Sequence, residues 1–233
     1  MKKAITFSYD DGITQDIRLI EIFDKYNLKG TFNLNSGCFG SSMRIEQEGA
    51  VVSHNRLCSG EIEKVYKHHE VAAHTMNHLF LPDLTDEEII FQVERDRINL
   101  SELVGYEVVG MAYPCSGENH NDRVVEVIRN NTGIKYARTL KVENTFNVSD
   151  DLLCYKPTCH HHKHWNEMLE IGKRFLELES NEPKVFCIWG HTYEFDIYPE
   201  RWKEFEEFCK MIANRKDVFY GTNREVYLTK WYE

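Results

Sequence analysis

The chain of 233 residues, 42% hydrophobic and 12% aromatic, can bury the core of one large α/β domain or two small ones, which excludes a disordered polypeptide. A formal charge of −10 and a pI near 5.6, with no basic run, exclude a nucleic-acid backbone as the partner. Seven cysteines, never spaced as CxxC, fit reduced thiols; no apolar stretch reaches the ~18 residues that span a bilayer, and Met1-Lys2-Lys3 runs into the first strand without a signal-peptide pattern, so a cytoplasmic protein off the membrane is expected.

In chain order, a β-type run at Ala4–Phe7 precedes a helix around Thr14–Tyr26, with Ile17, Ile20 and Phe23 on one face, and then a strand at Thr31–Leu34. Further strands are expected at Glu70–Ala73, Val108–Ala112, Tyr136–Arg138, Val185–Trp189 and, more weakly marked, Val218–Tyr220. Thr85 and Glu88 form a capping box ahead of Ile89, Ile90, Val93 and Ile98, and Pro199 suits the first turn of a helix burying Trp202, Phe205, Phe208 and Cys209. Strands alternating with helices predict a mostly parallel sheet or barrel. No linker or repeat divides the chain, so residues 1–233 read as one domain with irregular inserts at 35–60 and 139–163.

The unusual polar residues cluster at the carboxyl ends of these strands. Asp10 and Asp11 follow the first, His74 and His78 follow Glu70–Ala73, Pro114 and Cys115 follow Val108–Ala112, Arg138 closes its own strand, and His191 follows Val185–Trp189. In a (β/α) barrel those ends share one face, so residues far apart in sequence meet in one pocket. HTMNH, His74 to His78, brings two imidazoles to one side of a helical turn or tight loop. With one carboxylate they make a three-ligand site for a divalent metal, zinc by its donor set with cobalt or nickel as alternatives, leaving a position open for water. A dication also accounts for the side-by-side aspartates, because it offsets their repulsion and leaves one to ligate and one to take a proton.

FSYDDG, HTMNH, the YP of MAYPCSG and the late WGH resemble, in order, the motifs of the polysaccharide deacetylase family, also called carbohydrate esterase family 4, with its nodulation-type chitooligosaccharide deacetylase domain. The resemblance implies a distorted, incomplete (β/α) barrel of about seven mostly parallel strands with outer helices. It implies Asp10 as general base, Asp11 with His74 and His78 as metal ligands, and His191 as general acid. Water held by the metal would attack the acetyl carbonyl of an N- or O-acetylated saccharide, with a backbone N–H near Cys115 steadying the oxyanion.

The chain departs from the family pattern where an arginine usually precedes the proline by two residues and an aromatic follows it: here stand Ala112 and Cys115. Arg138 is a candidate to supply the missing guanidinium to Asp10, the alternative being a salt bridge at the barrel rim. Glu194 competes with His191 for the acid role, and His191 is preferred. In CYKPTCHHHKH, Cys154 to His164, a turn at Pro157 and Thr158 that aims His160 or His161 at substrate is favoured over a second, soft metal site. Tyr113, Trp189 and Tyr193 are available as an aromatic floor. Tyr113, Pro114, Cys115, His160, His161 and Trp189 thus form the expected substrate-binding set. The rival readings are a hydrolase of a small linear amide or ureide, a non-catalytic saccharide binder on the same scaffold, and a thiol enzyme pairing Cys115 with His191; nothing in the sequence speaks to oligomeric state.

Overall fold

The computed structural model describes residues 1–233. In chain order the elements are β1 (Lys3–Asp10), α1 (Asp16–Lys25), β2 (Gly30–Leu34), β3 (Ser42–Gln47), β4 (Ala50–Asn55), α2 (Ile62–Val65), β5 (Glu70–Ala73), α3 (Asp86–Val104), β6 (Gly110–Ala112), α4 (Asp122–Asn131), β7 (Tyr136–Arg138), β8 (Cys159–His160), α5 (Trp165–Glu177), β9 (Lys184–Gly190), α6 (Glu194–Ile197), α7 (Arg201–Ile212), β10 (Val218–Tyr220) and α8 (Asn223–Leu228). Eight strands form one all-parallel sheet in the order β7-β6-β5-β2-β1-β9-β8, with β10 beside the start of β1. It curls into a half-barrel wrapped by helices, the expected incomplete (β/α) barrel.

β1 is the central strand, buried along all of its 8 residues because the sheet interior covers one face and helices the other. Phe7 packs on Phe23 of α1 and Phe205 of α7, which fixes those helices against it. The helix on the capping box begins as expected: the Thr85 hydroxyl accepts from the Glu88 N–H and the Glu88 carboxylate accepts from the Thr85 N–H. In α1 the buried face is Leu19, Ile20, Ile22 and Phe23, and Ile17 is 41% exposed, a half-turn outside the stripe that the spacing suggested. Pro199 lies just ahead of α7 rather than in its first turn.

The inserts are more ordered than the sequence suggests. Residues 35–60 contain the antiparallel hairpin β3–β4, joined by Glu48 and Gly49, both with positive φ as a two-residue type I′ turn needs. Ser42–Gln47 and Ala50–Asn55 do alternate, but weakly, which is why the hairpin escaped the period-2 reading. Residues 139–163 include β8, whose two residues are too few for a pattern.

Candidate active site

β1 ends on Asp10, whose carboxylate lies inside the barrel at 1% exposure. The Arg138 guanidinium, 0% exposed, reaches both of its oxygens across the curled sheet from the end of β7 and also donates Nε–H to Ser8 Oγ at 3.0 Å. Trp189 of β9 lies flat against that guanidinium, 4.2 Å from ring centroid to Cζ, and Asn33 Nδ2 donates to Asp10 Oδ1 at 2.8 Å. Burial alone would raise the Asp10 pKa; the Arg138 charge, then those of His74 and His191, outweigh it and hold the carboxyl below its usual range. Arg138 is therefore an interior partner of Asp10, not a rim salt bridge.

Asp11 and Gly12 turn the chain out of β1 with φ of 82° and 64°. Asp11 Oδ2 lies 2.9 Å from His54 Nε2, and Oδ1 accepts from Arg56 Nη2 at 3.0 Å, so β4 and the residue just beyond it hold this carboxylate from outside the sheet. HTMNH is a tight loop, not a helical turn: Thr75 and His78 have φ of 64° and 57°, and Asn35 Nδ2 donates to the carbonyls of His74 and Thr75. A β-branched residue at positive φ stores strain of order 1–3 kcal/mol, which the surrounding hydrogen bonds hold in place. His74 Nδ1 is 2.8 Å from the Ala112 carbonyl, a bond in which it must be the donor, and this leaves Nε2 bare and facing the aspartates. Burial pushes His74 down and His78 to about 4, so both rings are neutral, as ligands must be.

One ligand atom from each of Asp11, His74 and His78 lies within 4.8 Å of the other two, and Asp11 Oδ1 is 3.5 Å from His78 Nε2. One ionised carboxylate and two neutral imidazoles, one oriented by a backbone carbonyl, fit a divalent ion with a free coordination position.

Opposite stands His191, its Nε2 4.0 Å from both Asp10 Oδ2 and Asp11 Oδ2. Burial favours its neutral ring, but the Glu194 carboxylate, 3.6 Å from Nδ1, and the two aspartates outweigh that and push His191 up to about 9. Glu194 is itself buried; its Oε2 accepts the His191 backbone N–H at 2.9 Å and its Oε1 is 3.5 Å from His160 Nε2. Burial opposes its charge, yet the neighbouring imidazoles hold it well below the usual carboxylate range. Glu194 is thus the buried anion behind His191.

These residues line a cavity of about 580 Å³ with Tyr113, Cys115, Trp189, Tyr193 and the inner face of the hairpin. Two of the expected substrate-facing residues lie elsewhere. His161 is buried against Phe195, centroids 4.2 Å apart at 8°, and Pro114 is covered by the turn in which Asn119 bonds its carbonyl. Of the histidine run only His160 reaches the cavity; His162 turns out to Glu48 and Arg201, and Cys159 enters the core, so no soft metal site forms. Cys115 has its thiol pushed up by burial and lies 3.8 Å from His78 Nδ1, positioned beside a metal-ligand candidate rather than His191, which weighs against a thiol enzyme. His54 and Arg56 were not anticipated: they sit in an insert read as irregular, and the only sequence signal was the place of His54 in a weakly alternating run that ends one residue before Arg56.

A model of the polysaccharide deacetylase family matches residues 1–137, more than half of the chain. No protein of curated function matches the sequence. Among solved structures, the Xyl-CE4 domain of a multidomain xylanase from the hindgut metagenome of Trinervitermes trinervoides aligns with a TM-score of 0.62 at 13% identity, covering 98% of this chain and 91% of that one. A CE4 family pseudoenzyme from Bacillus anthracis aligns with a TM-score of 0.54 at 15% identity over 97% of this chain and 65% of its own. A polysaccharide deacetylase from Bacillus cereus aligns over 64% of this chain with a TM-score of 0.51 at 20% identity, and the chain spans 44% of that protein's length. At these identities the likeness is one of fold. Asp10, Asp11, His74, His78 and Tyr113 lie within the matched residues, whereas Arg138, His160, Trp189 and His191 lie beyond them.

Proposed function

We propose, from the premise that the chain belongs to the polysaccharide deacetylase family, that it is a metal-dependent hydrolase removing acetyl groups from an N- or O-acetylated saccharide. The observation that carries this reading is a pair of groups 4.0 Å apart whose surroundings drive them to opposite states: Asp10 held ionised, His191 held protonated. Two titratable groups pushed apart beside a metal-binding triad are what an acyl hydrolysis needs as base and acid.

Asp10 Oδ2 accepts a proton from the attacking water; Arg138 holds both oxygens and Asn33 holds Oδ1, which leaves Oδ2, on the His191 side, with a lone pair for that proton. His191 Nε2 gives a proton to the leaving nitrogen or oxygen, and Glu194 steadies the imidazolium until it does. A divalent ion held by Asp11, His74 and His78 would supply Lewis acidity to the acyl carbonyl and make water a stronger acid. Trp189 and Tyr113 stand in the cavity wall, the one with its ring against Arg138 and the other stacked on His120, and shape the site rather than floor it.

The test is acetate release from acetylated chito-oligosaccharides by metal-loaded protein, with soluble linear amides assayed alongside. Asp10→Asn should keep the metal and lose activity by a factor of about 10²–10⁴, and His74→Ala should lose the metal. Saccharide binding without turnover of any acetyl ester or amide would replace this reading with that of a binding protein.

A further inference from the structure

Building on the deacetylase reading, we infer that the β3–β4 hairpin walls off one side of the site, so that the substrate is a short saccharide or a chain end and not the interior of a polymer. The hairpin is rooted after β2 and runs over the mouth of the barrel in the order of the strands beneath it. At its base Leu57 N–H and Thr14 N–H make backbone bonds between the hairpin's foot and the loop after β1, at Gly12 and Asn55. One step further out, Gln15 Nε2 ties the Ser53 carbonyl at 2.8 Å to Asp196 of α6 at 2.9 Å, beyond the end of β9. Val52, Ile45 and Ala50 pack there on Ile13, Tyr193 and Ile197. At the tip, Glu48 bonds His162, just past β8, at 2.8 Å and Tyr198 at 3.1 Å.

The hairpin therefore crosses from β1 over β9 to β8, the edge of the sheet. Two strand spacings are about 10 Å, and a strand of 6 residues spans about 20 Å, so its length suffices for the crossing. Alternation aims Met43, Ile45 and Gln47 at the cavity and leaves Arg44 and Glu46 outside. The roof covers the His191 side, while the side of β5, β6 and β7, lined by Asn77, Cys115, Ser116 and Leu140, has no such cover. A chain bound through its middle must leave by both sides; a cavity of about 580 Å³ closed on one of them suits a single small ligand.

The experiment measures kcat/KM per acetyl group on N-acetylglucosamine oligomers of increasing length and on an acetylated polymer. The intact protein should lose about 10-fold or more from the best short substrate to the polymer. Met43 and His54 are directly opposed, so replacing Arg44–Ser53 by Gly-Gly closes a shorter hairpin that keeps His54 and Arg56. That variant should gain on the polymer relative to the short substrates, raising the ratio of the two about 10-fold. Should it fail to fold, Glu48→Lys, which sets like charge against Arg201 beside His162, loosens the tip and should move the ratio the same way. Equal turnover of polymer by the intact protein, or a ratio unmoved by a folded variant, overturns the inference and leaves the deacetylase reading standing. No acetate from any substrate overturns both.

Discussion

Replacing Arg138 by Met tests how the Asp10 carboxylate is held. Both partners are within 1% of full burial, so water screens neither, and at an effective dielectric of about 20 the pair is worth about 4 kcal/mol. Arg138→Met leaves Asp10 buried with Asn33 as its main remaining donor, and breaking a buried pair by removing one member costs ~3–5 kcal/mol. For a domain of this length that is a fall of about 6–20 °C in Tm. Asp10→Asn alone should also destabilise, because Arg138 keeps only Ser8, the Thr139 carbonyl and the Trp189 face. The double variant, with a neutral pair, should recover most of the loss. Thermal and urea unfolding of the metal-free proteins in chelator measure all three. Additive losses, or an Arg138→Met loss under ~1 kcal/mol as for an exposed ion pair, would refute the reasoning.

Removing the anion behind His191 by Glu194→Gln should bring its pKa down from about 9, since Glu194 supplies the largest of the effects that raise it. An acid must be protonated, so the alkaline limb of kcat/KM should move to lower pH by about a unit or more while the acid limb stays; an unmoved limb removes Glu194 from the mechanism. Burial lifts Asp16 to about 7 against hydrogen bonds from Thr192 and Tyr66, so its folded pKa lies above the ordinary 3.8. Its contribution is full below about pH 4 and is lost as pH rises through 7, so Asp16→Asn should change little at pH 4 and stabilise by ~2–4 kcal/mol at pH 8. Urea midpoints at the two pH values check it, and parallel profiles would contradict it. His161, with neither ring nitrogen hydrogen-bonded and burial pushing it to about 3, should accept Phe with unchanged acetate release and a gain of roughly 1 kcal/mol. A large loss of activity would return it to the substrate-binding set.

The strands that build the barrel were legible because they are short, mostly apolar runs set between helical segments, and Glu70–Ala73, Tyr136–Arg138 and Val218–Tyr220 match the structure residue for residue. The hairpin was not legible: it buries only one face, and that on a cavity, so its inner row mixes Met43, Ile45 and Gln47 with no need for an apolar stripe. His161 was misread because its neighbour His160, the last residue of β8, does face the cavity; the chain turns at His161 and seats its ring on Phe195, a change of direction that the histidine run does not signal.

The arginine is the clearest case of what a linear reading withholds. Ala112 and Arg138 are registered partners on β6 and β7, so the guanidinium expected near the first has moved one strand over in the same layer of the sheet. β7 is the edge farthest from β9 and β8, four positions from β1. In a flat sheet those four spacings, about 19 Å, would put Asp10 beyond the reach of any side chain. Curling brings the edge round to face β1, and the interior it encloses is narrow enough for an arginine to bridge with Trp189 as its wall. Spacing in the sequence says nothing of curvature, so the motif could be counted as lost while its charge was kept. It follows that shortening this one side chain and widening the barrel should have the same effect on Asp10: Arg138→Lys, which trades a two-pronged fork for a shorter point charge, should weaken the hold on the carboxylate even though the net charge is unchanged.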